Sequence, residues 1–150
     1  VPILPATGSK LYWDICVPKL TYGVEVMDLN RDSIDALESF HCKAAKYIQS
    51  LPEQASNMGS LATLGWKPLE YHIDFLKLAF MWRILLLPMS NIYKVLMVRS
   101  LLHLVGTYGD SGNGPCSGMV KISIKYQLDN YRLDAIERGI IAACPCGRDE

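Results

Sequence analysis

The sequence predicts an all-α fold, an irregular bundle of about five to seven helices with a glycine-rich break near residues 106–118. Apolar residues recur at steps of three and four along most of the chain, the spacing that places them on one face of a helix. Strand-like patterns are rare, and residues 119–124 (Met-Val-Lys-Ile-Ser-Ile) form the one β-like run. Half of the 150 residues are apolar and 20% are charged, so the chain can bury a core.

Residues 9–27 predict the first helix. Its apolar positions are Leu11, Ile15, Leu20 and Val24. Pro18 lies inside this segment and should kink or split the helix, because proline has no backbone N–H and its ring clashes with the preceding turn. Gly23 weakens the helix further, since glycine has a low helix propensity. The residues that follow, 28–30, predict a turn into the next helix.

Residues 32–51 form the clearest predicted helix, and Asn30 or Asp32 can cap its first turn. Its apolar seam consists of Ile34, Leu37, His41, Ala44, Ile48 and Leu51. On this seam His41 is expected to be a core or boundary histidine. Acidic residues fall early in the helix and basic residues late, which suits the helix dipole, and Pro52 ends it.

Two further helices are bounded by turn-forming residues. Residues 56–64 predict a short helix that is capped by Ser56 or Asn57 and stopped by Gly65. A long helix then opens at residues 66–68, where a proline is tolerated in the first turn. The second half of this long helix is apolar nearly all round, which is typical of a helix that is buried in a core or covered by a partner.

Pro88 ends the long helix, and Ser90 is the expected cap of another helix that continues to about residue 105. Five glycines and one proline then fall within residues 106–118, which makes this segment the best candidate for a domain boundary. The predicted organisation is a helical bundle over 1–105, a glycine-rich linker over 106–118, a small helical extension over 119–142 and a flexible tail over 143–150.

The overall charge is balanced, because 15 basic and 15 acidic residues give a formal net charge of zero. This balance argues against a strongly cationic nucleic-acid binder, although it leaves room for a local basic face. No apolar run reaches the roughly 18 residues that a membrane span needs, and residues 1–5 are no signal peptide. We therefore expect an intracellular location without membrane contact. Because the chain begins with Val1, we expect it to be a piece of a longer protein.

The cysteines do not form a recognisable framework. They are Cys16, Cys42, Cys116, Cys144 and Cys146. Their odd number and the missing secretory signal argue against structural disulfides, and Cys16 and Cys42 fall in helical patterns where cysteine is often a small buried residue. Cys144 and Cys146 are separated by one residue, which is too short for a zinc knuckle, and no second pair follows. The sequence predicts no metal site and no cofactor.

Catalytic signatures are also missing from the sequence. Chemistry on two metal ions needs clustered carboxylates, whereas Asp32, Asp35 and Glu38 are spaced along the polar side of one helix. The glycine-rich residues 109–118 lack the Lys-Ser/Thr of a phosphate-binding loop, and no nucleophile with a partnered base can be argued. We predict no catalytic residue and no independent enzyme activity.

Charge is nevertheless distributed unevenly along the chain. Residues 1–38 hold three basic and six acidic residues, whereas residues 39–105 hold seven basic and three acidic residues. A basic face beside Tyr47, Trp66 and Tyr71 could hold a nucleic-acid backbone, with the aromatic rings available for stacking. The alternative is that the lysines only solvate helices and the aromatic residues pack in the core.

Several segments in order along the chain resemble one family. Residues 11–25 (LYWDICVPKLTYGVE) are similar to the segment that follows the palm in reverse transcriptases of LINE-type, non-LTR retrotransposons. An amphipathic helix that stops at Leu51-Pro52, a Ser56-Asn57 stretch and the turn at 64–69 (LGWKPL) follow as they do in that family. The matches continue with 77–85 (KLAFMWRIL), then Gly114-Pro115 and 125–128 (KYQL), so the resemblance covers about residues 9–140.

The resemblance implies that residues 1–105 are a thumb-like helical bundle of an RNA-directed DNA polymerase. In that family the thumb holds the primer–template duplex by backbone contacts beside the palm and does no chemistry. The family's catalytic Tyr/Phe-x-Asp-Asp signature lies N-terminal to this region and does not occur here. The implied partners are an RNA–DNA or DNA duplex and the missing palm domain. The candidate backbone contacts are Lys10, Lys19, Lys43 and Lys46.

Two details of the resemblance remain open. Tyr22, Gly23 and Glu25 are expected to shape the packing of the kinked first helix rather than to bind a ligand. The glycine-rich break and the tail with Cys144 and Cys146 match the family less well. A second hypothesis is therefore a non-catalytic helical remnant or protein-interaction module that has no nucleic-acid binding of its own.

Overall fold

The computed structural model describes residues 4–88, 90–106 and 115–128. All regular secondary structure in these ranges is helical, which confirms the all-α prediction. The helices are α1 (Pro5–Leu11), a π-helical turn (Tyr12–Cys16), α2 (Val17–Leu20), α3 (Arg31–Ile48), α4 (Asn57–Leu64), α5 (Leu69–Leu85), α6 (Ile92–Gly106) and α7 (Pro115–Lys125). The chain divides into two compact units, Val1–Phe75 and Leu76–Glu150.

The first helical segment is split just before Pro18, as the sequence predicts. A proline at this position leaves one carbonyl of the preceding turn without its usual donor. The chain responds with a π-helical turn, in which the Val17 N–H donates to the Tyr12 carbonyl, five residues earlier. Regular helix ends at Leu20 rather than at residue 27, and Gly23 takes a positive φ of 77° in the turn that follows.

Helix α3 begins where a side chain caps it. The Asn30 Oδ1 accepts a hydrogen bond from the Ser33 N–H at 2.8 Å, so Asn30 rather than Asp32 is the cap. The helix ends at Ile48, three residues before the predicted end, because the chain turns through Ser50 at a φ of 53°. In this turn the Leu51 N–H donates to the Lys46 carbonyl.

The ends of α4 also follow local chemistry. The Ser56 Oγ accepts from the Gly59 N–H at 3.3 Å, and Gly65 ends the helix in the left-handed conformation at a φ of 67°. Both features were predicted. A side chain at position 65 other than glycine would be strained by this backbone conformation. The Trp66 N–H then donates to the Leu61 carbonyl, which closes the helix end and turns the chain towards α5.

The later helices differ from the prediction in their bounds. Asn91 caps the first turn of α6 through its Oδ1, which accepts from the Tyr93 N–H at 2.9 Å, so the expected cap Ser90 is wrong by one residue. Helix α7 begins at Pro115, inside the segment predicted as linker, and contains the β-like residues 119–124. The remainder of the predicted linker at 107–114 lies outside the described residues, as do the second half of the extension and the tail with Cys144 and Cys146.

The core of the first unit is built around stacked aromatic rings. Tyr12 and Trp66 stack at a centroid distance of 4.6 Å, and His41 stacks on the other partner, Trp66, at 5.0 Å. Trp13 meets Tyr12, His41, Trp66 and His72 edge-on. His41 is completely buried, which confirms its expected core position. This aromatic core joins the first helical segment to α3 and to the α4–α5 turn.

The second unit has its own apolar core. Its buried members are Met81, Leu85, Met97, Val98, Leu101 and Met119, from α5, α6 and α7. Cys116 packs at the edge of this core, with its Sγ 3.5 Å from the Met97 Sδ. Burial raises the pKa of the Cys116 thiol, and a hydrogen bond with Ser100 opposes that rise.

A carboxylate from α3 caps the N-terminus of α5. The Glu38 Oε2 accepts from the Leu69 N–H at 2.8 Å and from the Glu70 N–H at 3.2 Å. These amides belong to the first turn of α5 and have no partner within their own helix. Because Leu69 is fully buried, water cannot replace the carboxylate.

We expect Glu38→Ala to lower the free energy of unfolding by about 1–3 kcal/mol, because it leaves a buried amide unsatisfied. Urea denaturation followed by circular dichroism measures this loss. Asp35→Ala is the matched control on the same helix, because Asp35 is exposed and forms an ion pair with Arg31. A surface pair of this kind contributes less than about 1 kcal/mol. Equal losses in the two variants would contradict the capping role of Glu38.

Candidate nucleic-acid interface

An open groove runs along the first unit between two helical walls. We call it the α1–α3 groove. One wall is α1 with the π-helical turn, and the other is α3 with the loop that follows it. The groove encloses about 920 Å³ and is lined mainly by apolar atoms. Its exposed apolar side chains are Leu11, Ile15, Phe40, Tyr47 and Leu51.

The two walls are held together by buried polar contacts beneath the groove. The Tyr12 hydroxyl lies 2.9 Å from the His41 Nδ1, and the His41 Nε2 lies 3.1 Å from the Lys67 carbonyl. A carbonyl only accepts, so the Nε2 carries the proton and the Nδ1 accepts from the tyrosine hydroxyl. The Trp66 Nε1–H donates to the Ser9 Oγ at 2.6 Å, which adds a tie from α1.

These contacts keep the groove floor uncharged. Burial lowers the pKa of His41, against smaller opposing effects of the Lys67 carbonyl and of Glu38. Burial also raises the pKa of Tyr12 to about 12, with smaller contributions from Cys16, Glu38 and Cys42. Both side chains are therefore neutral near pH 7 and serve as a rigid support rather than as acid–base groups.

The structure brings two of the four predicted lysines together on the groove. Lys43 and Lys46 line its α3 wall, where Lys43 is exposed and Lys46 is partly buried. The Lys46 Nζ donates to the Glu53 carbonyl at 2.8 Å, and an ammonium group retains two further N–H donors. Lys10 and Lys19 are exposed in the same unit but do not line the groove.

The aromatic residues that were considered for stacking separate into two groups. Tyr47 lines the groove and is 86% exposed, whereas Trp66 is buried in the aromatic core and cannot stack on a ligand. Tyr71 is exposed but lies outside the groove lining. The sequence analysis did not single out Phe40, which lines the groove and is 51% exposed. Its position one turn before Lys43, away from the buried seam, is the sequence feature that could have found it.

Two further expectations about this unit are corrected by the structure. Tyr22 is 88% exposed, so its side chain does not shape the packing of the first helical segment. Cys16 is exposed on the π-helical turn and lines the groove, whereas Cys42 is buried in the core as expected. Burial raises the pKa of the Cys42 thiol. Within the described ranges, no three His, Cys, Asp or Glu side chains are grouped as a metal site would require.

The comparisons with known proteins add no further assignment. No protein-family model, no curated protein and no solved structure matches the chain. Of the helices in the described ranges, none combines the length and the apolar character that crossing a membrane requires.

Proposed function

We propose that the chain is a thumb-like, non-catalytic helical module of a LINE-type reverse transcriptase and that it holds nucleic acid by backbone contacts. The support from the sequence is the ordered resemblance between residues 9 and 140. The support from the geometry is one observation, namely that Lys43 and Lys46 lie side by side on the wall of an exposed groove. Lysine ammonium groups neutralise phosphates and release the counterions that surround them.

This proposal assigns different roles to the two kinds of lysine. Lys43 and Lys46 share one surface and contact neighbouring phosphates of a strand that lies along the α3 wall. Lys10 and Lys19 are exposed away from the groove lining and add contacts to a duplex that extends over the surface of the first unit. Because the contacts are electrostatic, binding depends on ionic strength and only weakly on sequence.

The charge-reversed variant Lys43→Glu/Lys46→Glu tests the proposal. We expect the unmodified chain to bind a labelled RNA–DNA hybrid with micromolar affinity at low salt, and the variant to bind at least about tenfold more weakly. A salt series measured by fluorescence anisotropy gives the affinity and its salt dependence. Circular dichroism checks that both proteins have the same helix content.

Lys67→Glu is the matched control, because Lys67 is exposed in the same unit but does not line the groove. We expect this control to bind nearly as well as the unmodified chain. If a folded, unmodified chain fails to bind the hybrid at low salt, it is not an autonomous nucleic-acid clamp.

The apolar lining of the groove favours a second candidate function, a protein-interaction module. Leu11, Ile15 and Leu51 are exposed to between 39% and 49%, and such side chains commonly pack against a partner protein. The missing palm domain is the partner that the family resemblance implies. A folded chain that binds no nucleic acid but binds the palm would support this candidate.

A further inference from the structure

The α3 wall of the groove alternates aromatic rings with positive charges. Phe40, Lys43, Lys46 and Tyr47 all line the groove, and they lie on successive turns of one helix. The two rings are 51% and 86% exposed, so their faces are not used by the core. A rigid helix therefore presents two stacking surfaces with two ammonium groups between them.

The occupant of such a groove must have both negative charge and flat apolar surfaces. A base-paired duplex has its phosphates outside, but its base faces are stacked inside and cannot reach Phe40, Tyr47 or the apolar floor. An unpaired strand carries the same phosphates and exposes its base faces. Aromatic rings stack on any base, and a basic groove follows the backbone, which is how proteins bind single strands without reading their sequence.

We propose that the α1–α3 groove binds a single-stranded nucleic-acid segment, with Lys43 and Lys46 on its phosphates and with Tyr47 and Phe40 stacked on its bases. This inference rests on the proposed function, because it specifies which part of a primer–template occupies the groove. The unpaired strand enters the groove, while a duplex reaches only the lysines along the rim.

One acidic residue limits the positive charge of the groove. Glu53 lies in the lining at the end where Lys46 contacts its backbone carbonyl. Its carboxylate repels phosphates, so Glu53→Gln should tighten binding of a single strand severalfold at low salt. Lys43→Gln/Lys46→Gln should instead weaken binding and lower the salt slope by about two, one for each lost phosphate contact.

Tyr47→Ala is the decisive variant, because Tyr47 is 86% exposed and its loss should not unfold the protein. We expect it to weaken binding of an oligodeoxythymidylate by roughly fivefold or more, since one stacked base contributes about 1–3 kcal/mol. Binding of a blunt RNA–DNA hybrid should be almost unchanged. Tyr22→Ala is the matched control, because Tyr22 is 88% exposed and lies outside the groove.

Fluorescence anisotropy with both probes on the full chain separates the possible outcomes. Weaker binding of the single strand by Tyr47→Ala but not by Tyr22→Ala supports the inference. If Tyr47→Ala and Tyr22→Ala bind the single strand equally well, the groove does not stack bases, while lysine-dependent hybrid binding would still uphold the proposed function. If neither probe binds the folded, unmodified chain, both proposals fail and the groove belongs to a protein partner.

Discussion

Trp66→Ala is expected to lower the free energy of unfolding by about 3–5 kcal/mol, the usual cost of removing a buried tryptophan. Trp66 is 7% exposed and stacks against both Tyr12 and His41. Its removal leaves a cavity among rigid rings, and Ser9 loses the N–H that it accepts. Urea denaturation followed by circular dichroism measures the loss, because helix content does not depend on the deleted fluorophore.

Trp82→Ala is the control for this prediction. Trp82 lies on α5 in the second unit and is 51% exposed, so its truncation should cost no more than about 1 kcal/mol. If the two variants lose similar free energies, the aromatic core does not dominate the stability of the first unit.

Acidification is expected to destabilise the first unit, because burial lowers the pKa of both His41 and His72. An unfolded histidine takes up a proton near its ordinary pKa of about 6.5, whereas these folded ones do not until lower pH. Stability is therefore complete above about pH 6.5 and falls as the pH drops from there towards the folded pKa values. Each histidine contributes at most about 1.4 kcal/mol per pH unit.

His41 should account for a separable part of this pH dependence. A proton on its Nδ1 displaces the hydrogen bond that the Tyr12 hydroxyl donates, and the buried pair has no second arrangement that satisfies both groups. Denaturation at about pH 7.5 and about pH 5.5 gives the slope, and His41→Gln should reduce it by up to one proton. His72→Gln removes the other contribution. A wild-type stability that is equal at the two pH values would refute the prediction.

Features that depend on neighbouring residues were readable from the sequence. Asn30, Ser56 and Gly65 end or begin helices through contacts within four residues, so their side-chain chemistry is sufficient to place them. His41 was placed in the core because it occupies an apolar seam at helical spacing. The seam shows which face of α3 is buried without showing what it packs against.

Features that depend on distant residues were not readable in this way. Trp66 was a candidate for stacking on a ligand, but it stacks on Tyr12 and His41, which approach it only when the chain folds. In the same way, Lys43 shares a surface with Leu11 because α1 lies beside α3, and no local pattern contains that arrangement. The four lysines looked equivalent in the sequence, and only the packing of these helices distinguishes them.

The π-helical turn at Tyr12–Cys16 restricts how the length of this protein can change during evolution. Such a turn contains one residue more than an α-helical turn, and each residue rotates a helix by about 100°. Loss of one residue here would restore regular helix but would turn α1 with Ser9 away from Trp66, relative to Val17. Insertions and deletions should therefore accumulate in the exposed turn at 50–54 and be selected against within the first helical segment.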